Sequence, residues 1–570
     1  MNLPANHTVG WLNALSKDLV SSRVLLVDLN AGARNTLHTI LSSLGIATIH
    51  NAASTAETLF QVKNHRFDII FSDYYLGDGR DGQQLLEELR QQRLISLSTV
   101  YIIVTAERAY RNVISLAELT PDDYLIKPFT ADQLQNRLIK ALYKKRFFAR
   151  VFAALDKLAF IDALAACEKL LDEKGLFQVD VLRFKGEILN TLGYFKEALI
   201  VYQQVTAKTP VPWARMGLAT ALRGLGELDN AEQLALTLIE DVPEYMNAYD
   251  FVASVREEVG KLTEAQEILQ QASLLSPNNS VRQRAVGDIA VRNHDLKAAE
   301  RAYENVLERR RGSSLRVLDD YTNLTRVMLE QGQTEGVRRI VQDIRRDLRG
   351  NKQGELAASI VDSLCADHEG EPAKAKAALE KALSLHEKLK KDGAPLELSQ
   401  KIAVDLAHAC LASGEEERAN EILSKIAAEN HEDRNMIAQI QDVFTKTGRE
   451  AAGQSMLAKV GKEIVAINNQ GMLAARSGDL ASSVEMLLEA AERVPNLQFL
   501  VNAAKAVFTQ MDQAGWQEDL ARRGINCLNL AQAKEPRNAN LMSAGELYYR
   551  VARKYGIEVT PIGDTKRGSA

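Results

Sequence analysis

Residues 68–82 read DIIFSDYYLGDGRDG, and their order decides the fold of the first part of the chain. The run DIIFS has strand length and leads into an acid, Asp73, followed by a glycine-rich loop. An apolar run of this kind, without alternation, marks a strand covered on both faces. Outward from it the same texture repeats. Residues 23–28 (RVLLVD) form a short apolar run, residues 33–44 have helical spacing that stops at Gly45, and residues 46–49 read as a second strand. Ser54 followed three residues on by Glu57 predicts a capped helix start. Residues 83–90 are helical, residues 99–105 (TVYIIVT) are rich in β-branched side chains, and residues 124–126 give a last strand before Lys127 and Pro128. Five strands alternating with helices predict a doubly wound parallel sheet, whose ligands bind outside the carboxyl ends of the strands. Those ends carry Asp28, Asp73, Thr105 and Lys127.

From about residue 146 the strands stop and a repeat begins. Gly193 is followed five residues later by Ala198, Gly226 by Ala231 and Gly260 by Ala265, while His294 takes the glycine position ahead of Ala299. The alanines stand 33, 34 and 34 residues apart, and Pro210, Pro243 and Pro277 keep step. Tyr202, Ala235, Leu269 and Tyr303 each follow an alanine by four. Backward, the register places Ala165 in the small position without its glycine. Forward it loosens through Gly332 with Val337, Gly370 with Ala375, Gly414 with Ala419, Gly448 with Gly453, and Gly478 with Ser483, after which Pro495 closes the unit. The glycine allows a tight turn between two helices, the small residue a close approach, and the proline an end to the unit. One hairpin buries too little apolar surface alone, so neighbours must stack. This segment resembles the tetratricopeptide repeat (TPR) family. The resemblance implies an all-α superhelical solenoid of about eight or nine units that grips peptides or helices of partner proteins. The last unit is expected over 498–530, with a mostly helical cap to Lys554 and a frayed tail over 555–570.

Four segments of the first part belong together: LLVD at 25–28, DIIFSDYYLGDGRDG at 68–82, IIVTAE at 102–107 and DYLIKPF at 123–129. In order and spacing, residues 22–145 resemble the receiver domain of bacterial two-component response regulators, a flavodoxin-like α/β fold. The resemblance implies that Asp73 is a phosphoacceptor, attacking the phosphohistidine of a histidine kinase or phosphotransfer protein to form an acyl phosphate. Phosphoryl transfer rests on positioning and charge neutralisation, and Mg²⁺ prefers carboxylate oxygens and water. The matching ligand positions are Asp28, Asp73 and the backbone carbonyl of Tyr75. Lys127 matches the lysine that neutralises the phosphoryl group and Thr105 the hydroxyl that bonds it. Tyr124 matches the aromatic residue that turns inward when the hydroxyl moves. The Lys127–Pro128 bond matches a position that is often cis.

Two departures touch the metal site. Such domains usually carry adjacent acids after the first strand, whereas Asp28 is followed by Leu29 and then Asn30. An alkyl group in place of a carboxylate ligand is expected to weaken Mg²⁺ binding. Asn30 offers an amide oxygen two positions on. The loop after Asp73 is one residue longer than the commonest pattern and lacks its proline, and Asp78 and Asp81 within it read as turn residues.

Composition narrows the function classes. The chain has 570 residues, 46% apolar and 25% charged, which is the profile of globular protein. Residues 146–570 hold 55 basic and 61 acidic residues, so little counterion release would drive nucleic-acid binding, and no helix-turn-helix is recognisable. Cys167, Cys365, Cys410 and Cys527 lack zinc or redox spacing and read as core residues in a reducing compartment. There is no apolar run of membrane-span length, and residues 1–20 lack the features of a signal peptide, so a cytoplasmic protein is expected. No P-loop, nucleophile elbow or metal-binding His pair occurs, which predicts a participant in phosphotransfer that is not a turnover enzyme.

The run Arg309, Arg310, Arg311 reads as a solvated helix end. Phe147, Phe148 and Phe152, beside Lys144, Lys145 and Arg146, read as an interdomain hydrophobic seam with a solvated charged edge. Residues 131–143 are an amphipathic helix, and neither Gly nor Pro occurs between Phe129 and Lys174. The last receiver helix should therefore run directly, or through a tight break, into the first repeat helix. The expected division is an extension over 1–21, the receiver over 22–145, the repeats over 146–530, and a cap and tail over 531–570. The expected function is a response regulator, a phosphoprotein whose TPR array binds a protein target. Two rival readings are a phosphorylation-independent pseudo-receiver scaffold, for which Leu29 speaks, and a nucleic-acid-binding transcriptional regulator, against which the charge speaks.

Overall fold

The computed structural model describes residues 19–76, 81–106, 121–173, 177–310, 317–391, 399–431, 433–535 and 538–557. The chain divides into two compact units after Val317, with Thr191–Gly193 grouping with the second. The first unit opens with five parallel strands, β1 Arg23–Val27, β2 Thr48–Ala52, β3 Ile69–Asp73, β4 Val100–Thr105 and β5 Asp123–Ile126. Their order across the sheet is β2-β1-β3-β4-β5, the flavodoxin-like arrangement. Among the described residues the helices that accompany the sheet are α1 Ala31–Ser43, α2 Thr55–Asn64, α3 Gly82–Gln91 and α4 Ala131–Phe147.

The two-residue period of the strands divides their apolar runs between two cores. Val24, Leu26, Ile69, Phe71, Ile102 and Val104 pack with Leu37 and Leu41 of α1 and Leu134 and Leu138 of α4. Leu25, Val27, Ile70, Tyr101 and Ile103 pack with Val62 of α2 and Leu85, Leu86 and Leu89 of α3. The second strand begins two residues later than the sequence pattern predicts. Gly45 is left-handed (φ 89°) and the Ile46 N–H bonds the Leu41 carbonyl at 3.2 Å, so Ile46 completes the end of α1 before extended pairing starts. The cap of α2 also differs in detail. Ser54 accepts from the Glu57 N–H, but the Glu57 carboxylate reaches back to the Ala53 N–H at 2.7 Å, not to Ser54.

Helix α4 is followed, after the single residue Phe148, by α5 Ala149–Asp156. The aromatic seam forms here. Phe148 lies 5.0 Å from Phe147, 5.9 Å from Phe152 and 4.9 Å from Phe184, ring centre to centre. The charged edge is engaged rather than solvated at Lys145, whose Nζ pairs with Asp122 at 2.8 Å and lies 5.0 Å above the Phe152 ring. Asp156 of α5 accepts the Leu97 N–H at 3.0 Å, tying the loop before β4 to the helical region.

Among the described residues nine helices follow α5 before Val317: α6 Phe160–Asp172, α7 Gln178–Leu192, α8 Phe195–Thr206, α9 Pro212–Gly224, α10 Leu228–Asp241, α11 Met246–Glu258, α12 Leu262–Leu275, α13 Ser280–Arg292 and α14 Leu296–Arg309. Gly226, Gly260 and His294 take left-handed φ values of 82°, 82° and 58° at the turns. Ala198, Ala231, Ala265 and Ala299 are all buried. The backward register is corrected by two residues. Ala165 is exposed and Ala163 is buried, five positions after Leu158, which takes the left-handed turn at φ 55°. A leucine in a glycine position hides that unit from a search for glycine.

The second unit is helical throughout its described residues, from Leu318–Glu330 to Ala539–Lys554. One 27-residue helix, Glu450–Arg476, fills the interval between Gly448 and Gly478, where the hairpin pattern predicts two. The expected last unit forms as Leu497–Ala514 and Glu518–Lys534. Asp78, Arg311 and the tail beyond Ile557 lie outside the described residues. Among the described residues no helix is long and apolar enough to cross a membrane.

Candidate aspartate site at the carboxyl edge of the sheet

Parallel pairing brings the carboxyl ends of β1, β3, β4 and β5 to one edge, and with them Asp28, Asp73, Thr105 and Lys127. The ammonium of Lys127 donates to Asp73 Oδ1 at 3.0 Å and to Asp28 Oδ2 at 3.2 Å. Asp28 is 4% exposed, and its other oxygen accepts the Asn30 N–H at 2.7 Å. The Lys127 N–H donates to the Thr105 carbonyl at 2.8 Å, which anchors the lysine to β4, and the Lys127–Pro128 bond is cis.

Two carboxylates share one ammonium, so the cluster keeps excess negative charge. Burial pushes the Asp73 carboxyl above its ordinary range and the nearby Asp28 adds to the rise, against the hydrogen bond from Lys127. For Lys127 burial acts to lower the value, yet the two carboxylates outweigh it and the ammonium is held more firmly protonated than usual. Both shifts run upward because burial raises the Asp73 carboxyl, whereas at Lys127 the two carboxylates outweigh burial.

The donor set suits a small oxygen-seeking divalent cation in reduced form. Asp28 and Asp73 offer carboxylates, and the third expected position, Tyr75, lies two residues past Asp73. Leu29 is 60% exposed where a further acid would stand, and the Asn30 amide oxygen caps α1 by accepting the Ala33 N–H. Among the described residues no three His, Cys, Asp or Glu side chains converge in a metal-holding group. Thr105 is buried, 2% exposed, at the end of β4. Tyr124 is half-buried against the core shared with α2 and α3, and burial raises its phenol pKa well above the ordinary value.

Asp81 is more than a turn residue. It caps α3 through a complete capping box with Gln84. Its carboxylate also pairs with the guanidinium of Arg309, at the end of α14. Arg310 pairs with Glu87 of α3 at 2.9 Å and donates from Nε to Ser280 Oγ at 3.0 Å. The Gln84 side-chain amide donates to the Arg309 carbonyl. Arg309 and Arg310 are therefore not the solvated run that the sequence predicts, since Arg310 is 5% exposed. Arg309 also sits beside Tyr74, whose phenol is pushed up to about 12 by burial and by Asp81, with Arg309 opposing. Three adjacent arginines signal a charge cluster, but nothing local in the sequence names a partner 228 positions away.

Residues 24–139 match the family described as response regulator receiver domain, and residues 162–390 match the MalT-like TPR region. The alginate biosynthesis transcriptional regulatory protein AlgB of Pseudomonas putida is 34% identical over 133 residues, which is 23% of this chain and 28% of that protein. The transcriptional regulatory protein CiaR of Streptococcus pneumoniae is 31% identical over 123 residues, 22% of this chain and 52% of that protein. The chain thus spans about a quarter to a half of the length of these relatives. A signal receiver domain from Vibrio parahaemolyticus has 22% identity and a TM-score of 0.20, covering 22% of this chain and 92% of that one. A tetratricopeptide repeat protein from Parabacteroides merdae has 13% identity and a TM-score of 0.32, covering 53% and 98%. The parallel sheet and the helical hairpins that follow it are thus a response regulator receiver domain joined to a TPR-like repeat region.

Proposed function

We propose that this chain is a response regulator that accepts a phosphoryl group on Asp73 and acts through protein binding by its repeats. A receiver domain implies a place in two-component phosphotransfer, and a TPR-like region implies protein interaction. The observation that carries the finer reading is the convergence of Asp28, Asp73 and Lys127 within 3.2 Å at the carboxyl edge of the sheet. In the transfer, an Asp73 oxygen forms a bond to phosphorus as the phosphorus–nitrogen bond of a partner's phosphohistidine breaks, and the imidazole leaves. Lys127 is placed to neutralise the oxygens of the incoming group. Thr105 would donate its hydroxyl to one of them, and Tyr124 would follow the hydroxyl inward. Asp28, Asp73 and the Tyr75 carbonyl would hold Mg²⁺, which supplies charge neutralisation. The repeats would hold or release a protein target, with no small-molecule turnover.

Intact mass tests this. Full-length protein incubated with Mg²⁺ and a small-molecule phosphodonor should gain one phosphoryl group, and Asp73→Ala should gain none. Gain in both would place the modification elsewhere. A second reading, a phosphorylation-independent scaffold, is favoured by Leu29 in the acid position. Loss of all mass gain, together with target binding unaltered by Asp73→Ala, would establish it.

A further inference from the structure

The arginines at the end of α14 do not behave like a helix end placed in solvent. Arg309 and Arg310 each pair with a separate acid on the segment that begins eight residues after Asp73, and the Arg309 carbonyl accepts from Gln84 between those acids. Three contacts from two consecutive residues to Asp81, Gln84 and Glu87 follow one face of α3 with helical spacing. Arg310 is buried and the Glu87 side chain is 14% exposed, so this pair is largely shielded from the screening that makes exposed ion pairs weak.

The segment so held is stitched to the aspartate site. The Gly82 N–H bonds the Tyr74 carbonyl at 2.7 Å, and Tyr101 OH donates to the Gly82 carbonyl at 3.0 Å. A Cβ on Gly82 would lie 2.5 Å from the Asp73 carbonyl oxygen. The main chain at Gly82 is thus in contact with that of Asp73 and Tyr74, and Asp81 cannot shift without moving it. The Nε of Arg309 is buried and makes no hydrogen bond, so the guanidinium is not fully satisfied where it stands.

We propose that Arg309 and Arg310 form a latch, supplied by the repeat region, that positions the main chain of the aspartate site, and that phosphorylation at Asp73 opens it. The second half of this rests on the phosphoacceptor reading above. The latch is closed while Lys127 bridges two free carboxylates, so it stabilises the unmodified receiver. Reciprocity then requires that cutting the latch favour modification as much as modification favours opening.

The test uses the full chain with Arg309→Gln, Glu87→Gln and the two combined, which leave the Asp81 cap and the Gln84 bond to the Arg309 carbonyl intact. Arg338→Gln, which loses a distant pair with Glu369, is the control for charge. Far-ultraviolet circular dichroism checks that each variant folds. Hydrogen exchange over 82–91 and 296–310 reads the latch, and intact mass with Mg²⁺ and a phosphodonor reads the site. Faster exchange in both segments of the double variant, with a phosphorylated-to-unmodified ratio at plateau about fivefold higher or more, is the expected result, and Arg338→Gln should change neither. Unchanged exchange in the double variant overturns the latch. Phosphorylation of the wild type without faster exchange in either segment overturns the coupling and leaves the phosphoacceptor reading standing. No phosphorylation of any variant overturns the coupling and the phosphoacceptor reading together, while the exchange of the double variant still decides the latch.

Discussion

The repeat packing makes a quantitative prediction at Gly217. This residue lies inside α9, and an added Cβ there would stand 2.1 Å from Tyr202 Cζ and 2.3 Å from Cε1. Tyr202 is 1% exposed, and a Cβ at Gly186 would meet the same ring at 2.6 Å. The ring is rigid and enclosed, so Gly217→Ala forces it to move, at about 1–3 kcal/mol for overpacking. Against this, alanine in place of glycine in a helix interior gains about 1 kcal/mol. The net cost is therefore about 0–2 kcal/mol in the natural chain. Tyr202→Leu removes the ring atoms that the new Cβ would strike. In that background only the helix gain remains, and Gly217→Ala should stabilise by about 1 kcal/mol. The pair should thus couple by about 1–3 kcal/mol, well outside the 0.3–0.5 kcal/mol scatter of independent sites. Native-state hydrogen exchange of α8 and α9 amides measures this locally, which suits a repeat region better than one global transition. An equal effect of Gly217→Ala in both backgrounds would show that the close approach to Tyr202 does not set the spacing of these helices.

Three further outcomes follow from the site and the core. Lys127→Ala leaves Asp28 and Asp73 facing each other without a cation, and should cost about 1–2 kcal/mol after discount for the partial exposure of the lysine. Exchange of β1 and β3 amides reads that cost, Asp73→Asn in the same chain should return part of it, and an unchanged exchange would show that the bridge contributes nothing. Leu29→Asp adds a carboxylate next to Asp28 and should tighten Mg²⁺ binding by about tenfold, near 1.4 kcal/mol. Calorimetric titration measures this, and equal affinity would mean that position 29 does not face the cation. The cysteines are buried, with Cys167 and Cys527 pushed up to about 12, Cys410 to about 11, and Cys365 raised, all chiefly by burial. None should react with an aromatic disulfide reagent at pH 8 while the chain is folded, and all four should react in denaturant. Reaction of any thiol in the folded chain contradicts the packing around it.

The sheet, and the gathering of Asp28, Asp73 and Lys127 at one edge of it, were legible in the residues alone. Continuous apolar runs ending in Asp28, Asp73 and Thr105, and a last strand running into Lys127, require parallel strands covered on both faces, and parallel pairing must then gather those ends on one edge. Most repeat turns were legible as well, because glycine marks left-handed positions by its freedom from a Cβ. The unit at Leu158 and Ala163 escaped that rule because a leucine, not a glycine, takes the left-handed position. The remaining contacts were settled by packing. The Asn30 amide was given to the cap of α1, and the Glu57 carboxylate to Ala53, because local geometry selects among donors that sequence spacing leaves nearly equivalent. Arg309 and Arg310 found Asp81 and Glu87 across more than 220 positions. A charged side chain carries no local sign of its partner, since Coulomb attraction depends on distance in space and the stacking of α6 to α14 alone sets that distance.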